Sequence, residues 1–144
     1  MPNHIHLLLK QVTDNGITDF MWKVSDSYTH YFNIKKSRKV PLFEGRFKSV
    51  RIESEQQLLH VSRYIHLNPY SSGLVKKISE LKDYAYSSLP EYFGLIKNGI
   101  CQKDIVLSYF KKPGSYKDFI VGQADYQREL EILKHVILEN PEAD

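Results

Sequence analysis

Two histidines separated by one residue, His4 and His6, are the first side chains in the chain whose spacing could do chemistry. Alternate side chains of a β-strand point to the same face, so both imidazoles would face one way and Ile5 the other. Two imidazoles placed like this can bind one metal ion without backbone strain, if another segment supplies a third ligand. A lone pair of this kind is a weak signal, because exposed histidines on a strand are common.

A polar stripe on a downstream helix is the second chemical feature. Residues four apart are neighbours on a helix surface, which aligns His60, Tyr64 and Asn68. Tyr64 could supply a phenolic nucleophile, and Asn68 an amide oxygen ligand one turn later. A phenol ionises at a pKa of about 10 in water, so it needs a nearby base or a metal-activated electrophile. The structural alternative is a tyrosine that packs its ring and an asparagine that ends a helix before Pro69.

A basic stretch between residues 35 and 51 is the third feature. The whole chain carries a formal net charge of only +3, with a sequence pI of about 8.8. Local clustering says more than the total, because a basic patch attracts phosphates even on a nearly neutral protein. The alternative is a solvated, lysine-rich loop. The clustered residues are Lys35, Lys36, Arg38, Lys39, Arg46, Lys48 and Arg51.

The elements that must position these side chains can be predicted from periodicity. Residues 4–10 form a short apolar run that predicts a strand, with Ile5, Leu7 and Leu9 on its buried side. Residues 18–36 show the three-and-four apolar spacing of a helix with one buried face, and residues 43–52 predict a turn and a second strand. Ser54 and Gln57 predict a capping box that starts the tyrosine helix. Residues 124–138 predict a C-terminal helix.

The composition bounds the class of protein. A chain of 144 residues is a normal size for one domain with one core. Cys101 is the single cysteine, which excludes an internal disulfide framework and a zinc site built from several cysteines. No signal peptide and no apolar run of membrane-spanning length is visible in the sequence. We therefore expect a cytoplasmic protein without a membrane partner.

Four strings, taken in order, resemble the REP-associated tyrosine transposases, which are relatives of the insertion-sequence-200/605 transposases. The strings are MPNHIHLLL, YFNIKKSRKVPLFEGRFKSV, RYIHLNPYSSGLV and DYAYSS. The signature of this HUH family is a histidine pair around one bulky apolar residue, followed by one tyrosine on a downstream helix. The resemblance covers residues 4–88, and the C-terminal helices more loosely. Four ordered strings are far more specific than the histidine pair alone.

The resemblance implies an α+β, ferredoxin-like HUH fold, with an antiparallel sheet, helices on one of its faces and a helical C-terminal extension. We expect a catalytic domain over residues 1–94 and the extension over residues 95–144. Relatives carry a strand, a helix and a strand before the string that begins at Met1, so the N-terminal part of the fold is expected to be missing here. An open sheet edge invites pairing, and we expect a homodimer, including a strand-swapped one.

The resemblance also implies the roles of the site residues. His4, His6 and Asn68 match the metal ligands, and Tyr64 matches the nucleophile that forms a 5′-phosphotyrosine link with single-stranded DNA beside a hairpin. Mixed imidazole and amide ligation suits Mg²⁺ or Mn²⁺. His60 is a reserve candidate for a metal ligand or a base. The expected DNA-binding residues are Arg46, Lys48, Arg51, Lys35 and Lys36.

Three alternatives stay open on the sequence. The first is a catalytically inactive, truncated transposase remnant that only binds DNA, which the missing N-terminal part favours. The second is a small metal-binding or interaction domain unrelated to DNA, which would explain the histidines but not the ordered strings. The third is a replication-initiation or relaxase-type HUH nuclease, although those proteins are usually larger and place their tyrosine differently.

Overall fold

The computed structural model describes residues 3–112 and 114–130. The chain forms two compact units. We call Leu8–Ile52 the basic unit, and Met1–Leu7 together with Glu53–Asp144 the tyrosine unit. The predicted division between residues 94 and 95 stays a prediction. Both histidines of the candidate pair and the candidate nucleophile belong to the tyrosine unit.

The basic unit contains one long helix, α1 (Gly16–Lys35). It begins after Asn15, whose φ of 56° lies in the left-handed region that asparagine tolerates better than most residues. The predicted helix is confirmed, but its predicted buried face is wrong, because no residue of α1 is buried. Trp22, the largest side chain of the helix, is 68% exposed.

The predicted antiparallel sheet is wrong. Within residues 3–112 and 114–130 no segment forms a β-strand, so the ferredoxin-like α+β fold is not seen. The physical reason is pairing: a strand exists only where its backbone groups bond to a neighbouring strand. Residues 4–10 and 47–52 have strand-like sequences but form no such ladder. Ile5, Leu7 and Leu9, the expected buried side of the first strand, are 59%, 45% and 37% exposed.

The tyrosine unit is built from helices instead. Its long helix is α2 (Glu55–Ser71), which packs against a 3₁₀ helix (Ile78–Asp83), α4 (Asp104–Leu107) and α5 (Ser115–Val121). A short helix, α3 (Leu89–Tyr92), packs on the 3₁₀ helix. The core is therefore a helix-on-helix core. Its fully buried apolar side chains are Leu67, Leu81, Leu89, Val106 and Ile120.

The N-terminus of α2 is capped as the sequence predicts. The Ser54 hydroxyl accepts a hydrogen bond of 3.1 Å from the Gln57 amide nitrogen, which satisfies one of the donors left over at a helix start. The Gln57 side chain reaches back one residue further than a standard capping box, because its carbonyl accepts from the Glu53 amide nitrogen at 2.8 Å.

The C-terminus of α2 lies beyond the predicted end at Asn68. Pro69 stands inside the helix, which continues to Ser71. A proline there removes one helical hydrogen bond and crowds the carbonyl four residues earlier. The last turn persists because Pro69 and Tyr70 are buried, and because the Pro69 carbonyl accepts from the Val75 amide nitrogen at 2.9 Å. Tertiary burial outweighs the local preference of proline here.

Two further sequence predictions concern the ends and the environment of the chain. Of the predicted C-terminal helix, residues 124–130 are helical, and the remainder lies outside the described residues. Among the described helices, none combines the length and the apolar character that crossing a bilayer requires. The cytoplasmic location stays a prediction.

Candidate functional site

The imidazoles of His4 and His6 face each other, although their segment is not part of a sheet. Their Nε2 atoms lie 3.1 Å apart, and their ring centroids lie 4.8 Å apart with the ring planes perpendicular. A hydrogen bond between two imidazole nitrogens needs one N–H and one lone pair, so the two rings adopt complementary tautomers. The two rings lie together, as expected, but without the β-strand from which that expectation was argued.

Asn3 determines which nitrogen of His4 carries the proton. The Nδ1 atom of His4 lies 2.8 Å from the side-chain oxygen of Asn3. A carbonyl oxygen only accepts, so Nδ1–H of His4 donates to it and the lone pair of His4 is left on Nε2. A carbonyl or carboxylate behind a histidine in this way is the usual outer support of a metal-binding imidazole.

Tyr64 lies beside the histidine pair. The rings of His6 and Tyr64 are in edge-to-face contact, with centroids 5.7 Å apart. Tyr64 stands in the middle of α2, and its own carbonyl accepts a hydrogen bond of 3.2 Å from the Gln127 side chain. The phenol and the two imidazoles, which are about 60 residues apart in sequence, thus belong to one constellation in the tyrosine unit.

Asn68 lies one helical turn beyond Tyr64 and is only 3% exposed. Its side-chain oxygen is buried and has no hydrogen-bond partner among the described residues. A buried amide oxygen without a donor costs about 1–3 kcal/mol relative to a satisfied one. Because this oxygen lies on the helix that carries Tyr64, it is a candidate ligand for a cation.

The donor set fits a divalent cation. Two nitrogens that each bond one cation at about 2.0–2.1 Å stand roughly 2.9–3.4 Å apart, the range that includes the observed separation of the His4 and His6 nitrogens. Asn68 adds a buried oxygen that lacks a partner. In the hydrogen-bonded pair His6 donates from Nε2, so binding of a cation through both Nε2 atoms requires the His6 proton to move to Nδ1. The described residues contain no group of three or more histidine, cysteine, aspartate and glutamate side chains placed to hold a metal, a class to which an asparagine amide does not belong.

The opposite side of α2 carries a buried hydroxyl–imidazole network that sequence reasoning missed. The Tyr116 hydroxyl lies 2.6 Å from the Ser62 hydroxyl and 2.7 Å from Nδ1 of His66. Nε2 of His66 lies 2.9 Å from the Ser88 hydroxyl. Ser62 and His66 are four residues apart, and each is two residues from Tyr64, so they face away from it. The spacing of Ser62 and His66 was the only signal in the sequence.

Burial governs the ionisation of this network. Desolvation lowers the pKa of His66 from its ordinary value of 6.5 to about 4, so the imidazole is neutral at neutral pH. Burial also raises the pKa of the Tyr116 phenol well above its ordinary range, and the bond to Ser62 offsets this only in part. A neutral imidazole can accept at one nitrogen and donate at the other, which matches its two hydroxyl partners.

The remaining predicted residues lie elsewhere. His60 is exposed, its Nδ1 lies 3.2 Å from the guanidinium of Arg63, and its role as a reserve ligand or base stays a prediction. The predicted DNA-binding residues are all in the basic unit and all exposed. They are Lys35, Lys36, Arg46, Lys48 and Arg51.

Searches against protein-family models, curated proteins and solved structures each found no match for this chain.

Proposed function

We propose that this chain cleaves and rejoins single-stranded DNA by transesterification, with Tyr64 as the nucleophile and His4, His6 and Asn68 as holders of a divalent cation. The resemblance of its ordered strings to REP-associated tyrosine transposases suggests this chemistry. The observation that carries the proposal is the convergence of the two Nε2 atoms, 3.1 Å apart, beside the Tyr64 ring.

The bond changes in the proposed reaction balance without an external energy source. The Tyr64 oxygen forms a bond to phosphorus, and the bond from phosphorus to the 3′ oxygen of the neighbouring nucleotide breaks. The phenolic proton is lost, and the departing 3′ oxygen gains a proton. The 5′-phosphotyrosine link conserves the energy of the phosphodiester, so a second 3′ hydroxyl can reverse the step and join a new strand.

The residues of this chain have separate tasks in that reaction. Asn3 holds the tautomer of His4 whose lone pair is on Nε2, the atom that would bind a cation. Asn68 and Tyr64 share one helix, so their spacing is held by the backbone rather than by a loop. When bound, Mg²⁺ or Mn²⁺ would neutralise charge on the scissile phosphate.

The basic unit supplies the chemistry expected for an unpaired DNA strand. Cationic residues track phosphates, and exposed aromatic rings stack bases. Lys35 and Tyr31 are paired on α1, with the Lys35 Nζ atom 3.0 Å from the Tyr31 hydroxyl. Trp22 and Phe47 are 68% and 44% exposed. These features support contacts to single-stranded DNA beside a hairpin.

A covalent-capture experiment tests the proposal. Incubation of the protein with a labelled hairpin oligonucleotide bearing single-stranded flanks, in Mn²⁺, should yield an adduct that survives denaturation. The adduct should disappear in Tyr64→Phe and persist in Tyr126→Phe, a matched control because Tyr126 is 60% exposed on the helical residues 124–130. Absence of an adduct from the unaltered protein under all metal conditions would exclude the proposed chemistry.

A second candidate function is a chain that binds single-stranded DNA without cleaving it. The observation that favours it is that the segment around His4 and His6 joins no β-sheet within residues 3–112 and 114–130, and that Ile5 and Leu7 are 59% and 45% exposed. Gel-shift binding that is equal in the unaltered protein and in Tyr64→Phe, together with no adduct in either, would support this candidate.

A homodimer also belongs to this proposal. Ile5 and Leu7 are 59% and 45% exposed, which leaves apolar surface beside the histidine pair. A second copy that packs on these side chains would also restrict the motion of the segment that carries the two imidazoles. Light scattering should then give twice the monomer mass, and Ile5→Ser/Leu7→Ser should shift the protein towards the monomer.

A further inference from the structure

A pocket of about 520 Å³ lies on the side of the tyrosine unit formed by α3, α4 and α5. Its volume is in the range of pockets that bind small molecules, about 300–1,000 Å³. Its lining includes neither histidine of the candidate pair, nor Tyr64, nor Asn68. The pocket is therefore separate from the proposed cleavage site.

One wall of the pocket is aromatic. Tyr116 lies between Tyr92 and Phe110, with ring centroids 5.3 Å and 5.1 Å away. Tyr116 is buried, and Tyr92 and Phe110 are partly exposed. The Tyr116 hydroxyl is engaged by Ser62 and His66, so this wall offers ring surface rather than a polar group of Tyr116.

The rim of the pocket is basic. Four lysines belong to its lining, namely Lys103, Lys111, Lys112 and Lys117. The one acidic side chain of the lining, Glu91, accepts hydrogen bonds from the backbone nitrogens of Ile100 and Cys101 at 3.4 Å and 3.0 Å. These bonds, with Lys103 nearby, hold the pKa of Glu91 below its ordinary value. The Glu91 carboxylate is engaged in these hydrogen bonds, and the four lysines give the pocket a positive charge.

We infer that this pocket binds one nucleotide unit, with a base against the Tyr92 and Phe110 rings and a phosphate among the lysines. A planar ring on an aromatic wall and an anion beside clustered lysines are the two halves of nucleotide recognition. The same chemistry is offered by an unpaired nucleotide within a DNA strand and by a free mononucleotide. The inference does not depend on Tyr64 or on a cation.

Calorimetric titration of the full chain without metal tests the inference. The probes are deoxythymidine monophosphate, a short thymidine oligonucleotide, deoxythymidine and inorganic phosphate. We expect the monophosphate to bind at least about 10-fold more tightly than deoxythymidine or phosphate alone, because each lacks one half of the interaction. Competition by the oligonucleotide identifies a strand as the source, and its failure to compete identifies a free nucleotide.

Variants locate the binding in the pocket. Lys111→Gln/Lys112→Gln should weaken binding of the monophosphate by about 10-fold or more. The matched control is Lys76→Gln/Lys82→Gln, which removes the same charge at two exposed lysines outside the pocket.

Phe110→Leu keeps an apolar side chain and removes the stacking surface, and should weaken binding of the monophosphate by roughly 5-fold or more. Equal affinity in the pocket and control lysine variants would overturn the inference, and so would phosphate binding as tight as that of the monophosphate. Tyr64→Phe should leave this binding unchanged, so failure of the cleavage proposal and failure of the pocket are separate outcomes.

Discussion

The imidazole of His66 and the hydroxyl of Tyr116, 50 residues apart in the chain, meet at 2.7 Å in the interior of the tyrosine unit. This bond ties α2 to α5, and Ser62 adds a second contact from α2 to the same hydroxyl. The helix that carries Tyr64 on one side is therefore held by a polar network on the other.

Removal of the Tyr116 hydroxyl should destabilise the protein. Tyr116→Phe keeps the ring and leaves the buried His66 nitrogen and Ser62 hydroxyl without their shared partner. We expect a loss of about 1–3 kcal/mol in the free energy of unfolding, measured by urea denaturation. Tyr86→Phe is the control, because Tyr86 is 87% exposed and should change stability little. Equal stability of the two variants would contradict the role of the network.

Stability should fall in acid because of His66. Its pKa is lowered to about 4 in the folded chain, whereas an unfolded histidine titrates near 6.5. Between these values the unfolded state binds more protons, so the free energy of unfolding decreases as the pH falls from 6.5 towards 4. The total loss from this group is about 3 kcal/mol.

Denaturation at a series of pH values, with His66→Gln for comparison, measures this effect. The variant lacks the titrating group and should show a shallower decrease through the same interval. Parallel curves for the two proteins would assign the acid sensitivity to other groups.

Asn3 should contribute to cation affinity without binding the cation. Asn3→Ala removes the oxygen that holds the His4 proton on Nδ1, so the His4 tautomer with its lone pair on Nε2 is no longer favoured. Loss of such an outer partner typically weakens metal affinity about 10- to 100-fold. Titration of Mn²⁺ followed by electron paramagnetic resonance measures the affinity. Asn98→Ala, at an exposed asparagine of the same unit, should leave it unchanged.

Binding to single-stranded DNA should depend on salt through the basic unit. The logarithm of affinity falls with the logarithm of salt concentration, and each lost phosphate contact makes this slope shallower by about 0.7. Arg46→Gln/Lys48→Gln should therefore reduce the slope by roughly 1.4 if both residues contact phosphates. Lys76→Gln/Lys82→Gln is the charge-matched control in the tyrosine unit. An unchanged slope for the first pair would remove these residues from the interface.

Local patterns in the sequence were sufficient to predict some of the helices. Ser54 predicts the start of α2 because its hydroxyl caps the helix within three residues, and α1 follows from apolar spacing. His4 and His6 face each other as their spacing suggested, although the strand assumed for that prediction does not form. Each of these inferences needs only neighbours along the chain.

Long-range partners account for what sequence reasoning missed. Residues 4–10 have the composition of a strand, but a ladder requires a second segment whose presence no local pattern guarantees. The end of α2 was predicted too early because burial of Pro69 and Tyr70 depends on the packing of distant helices. The partnership of His66 with Tyr116 likewise depends on how α5 packs, which the spacing within α2 does not contain.

The absence of buried residues in α1 has a consequence for hydrogen exchange. A 20-residue helix without a buried side chain keeps its backbone hydrogen bonds mainly by local cooperativity. Its amide hydrogens should therefore exchange with deuterated solvent well before those in the centre of α2. If an unpaired strand lies across Tyr31 and Lys35, which are in contact on one face of α1, exchange in α1 should slow, and mass spectrometry of peptides would detect that protection.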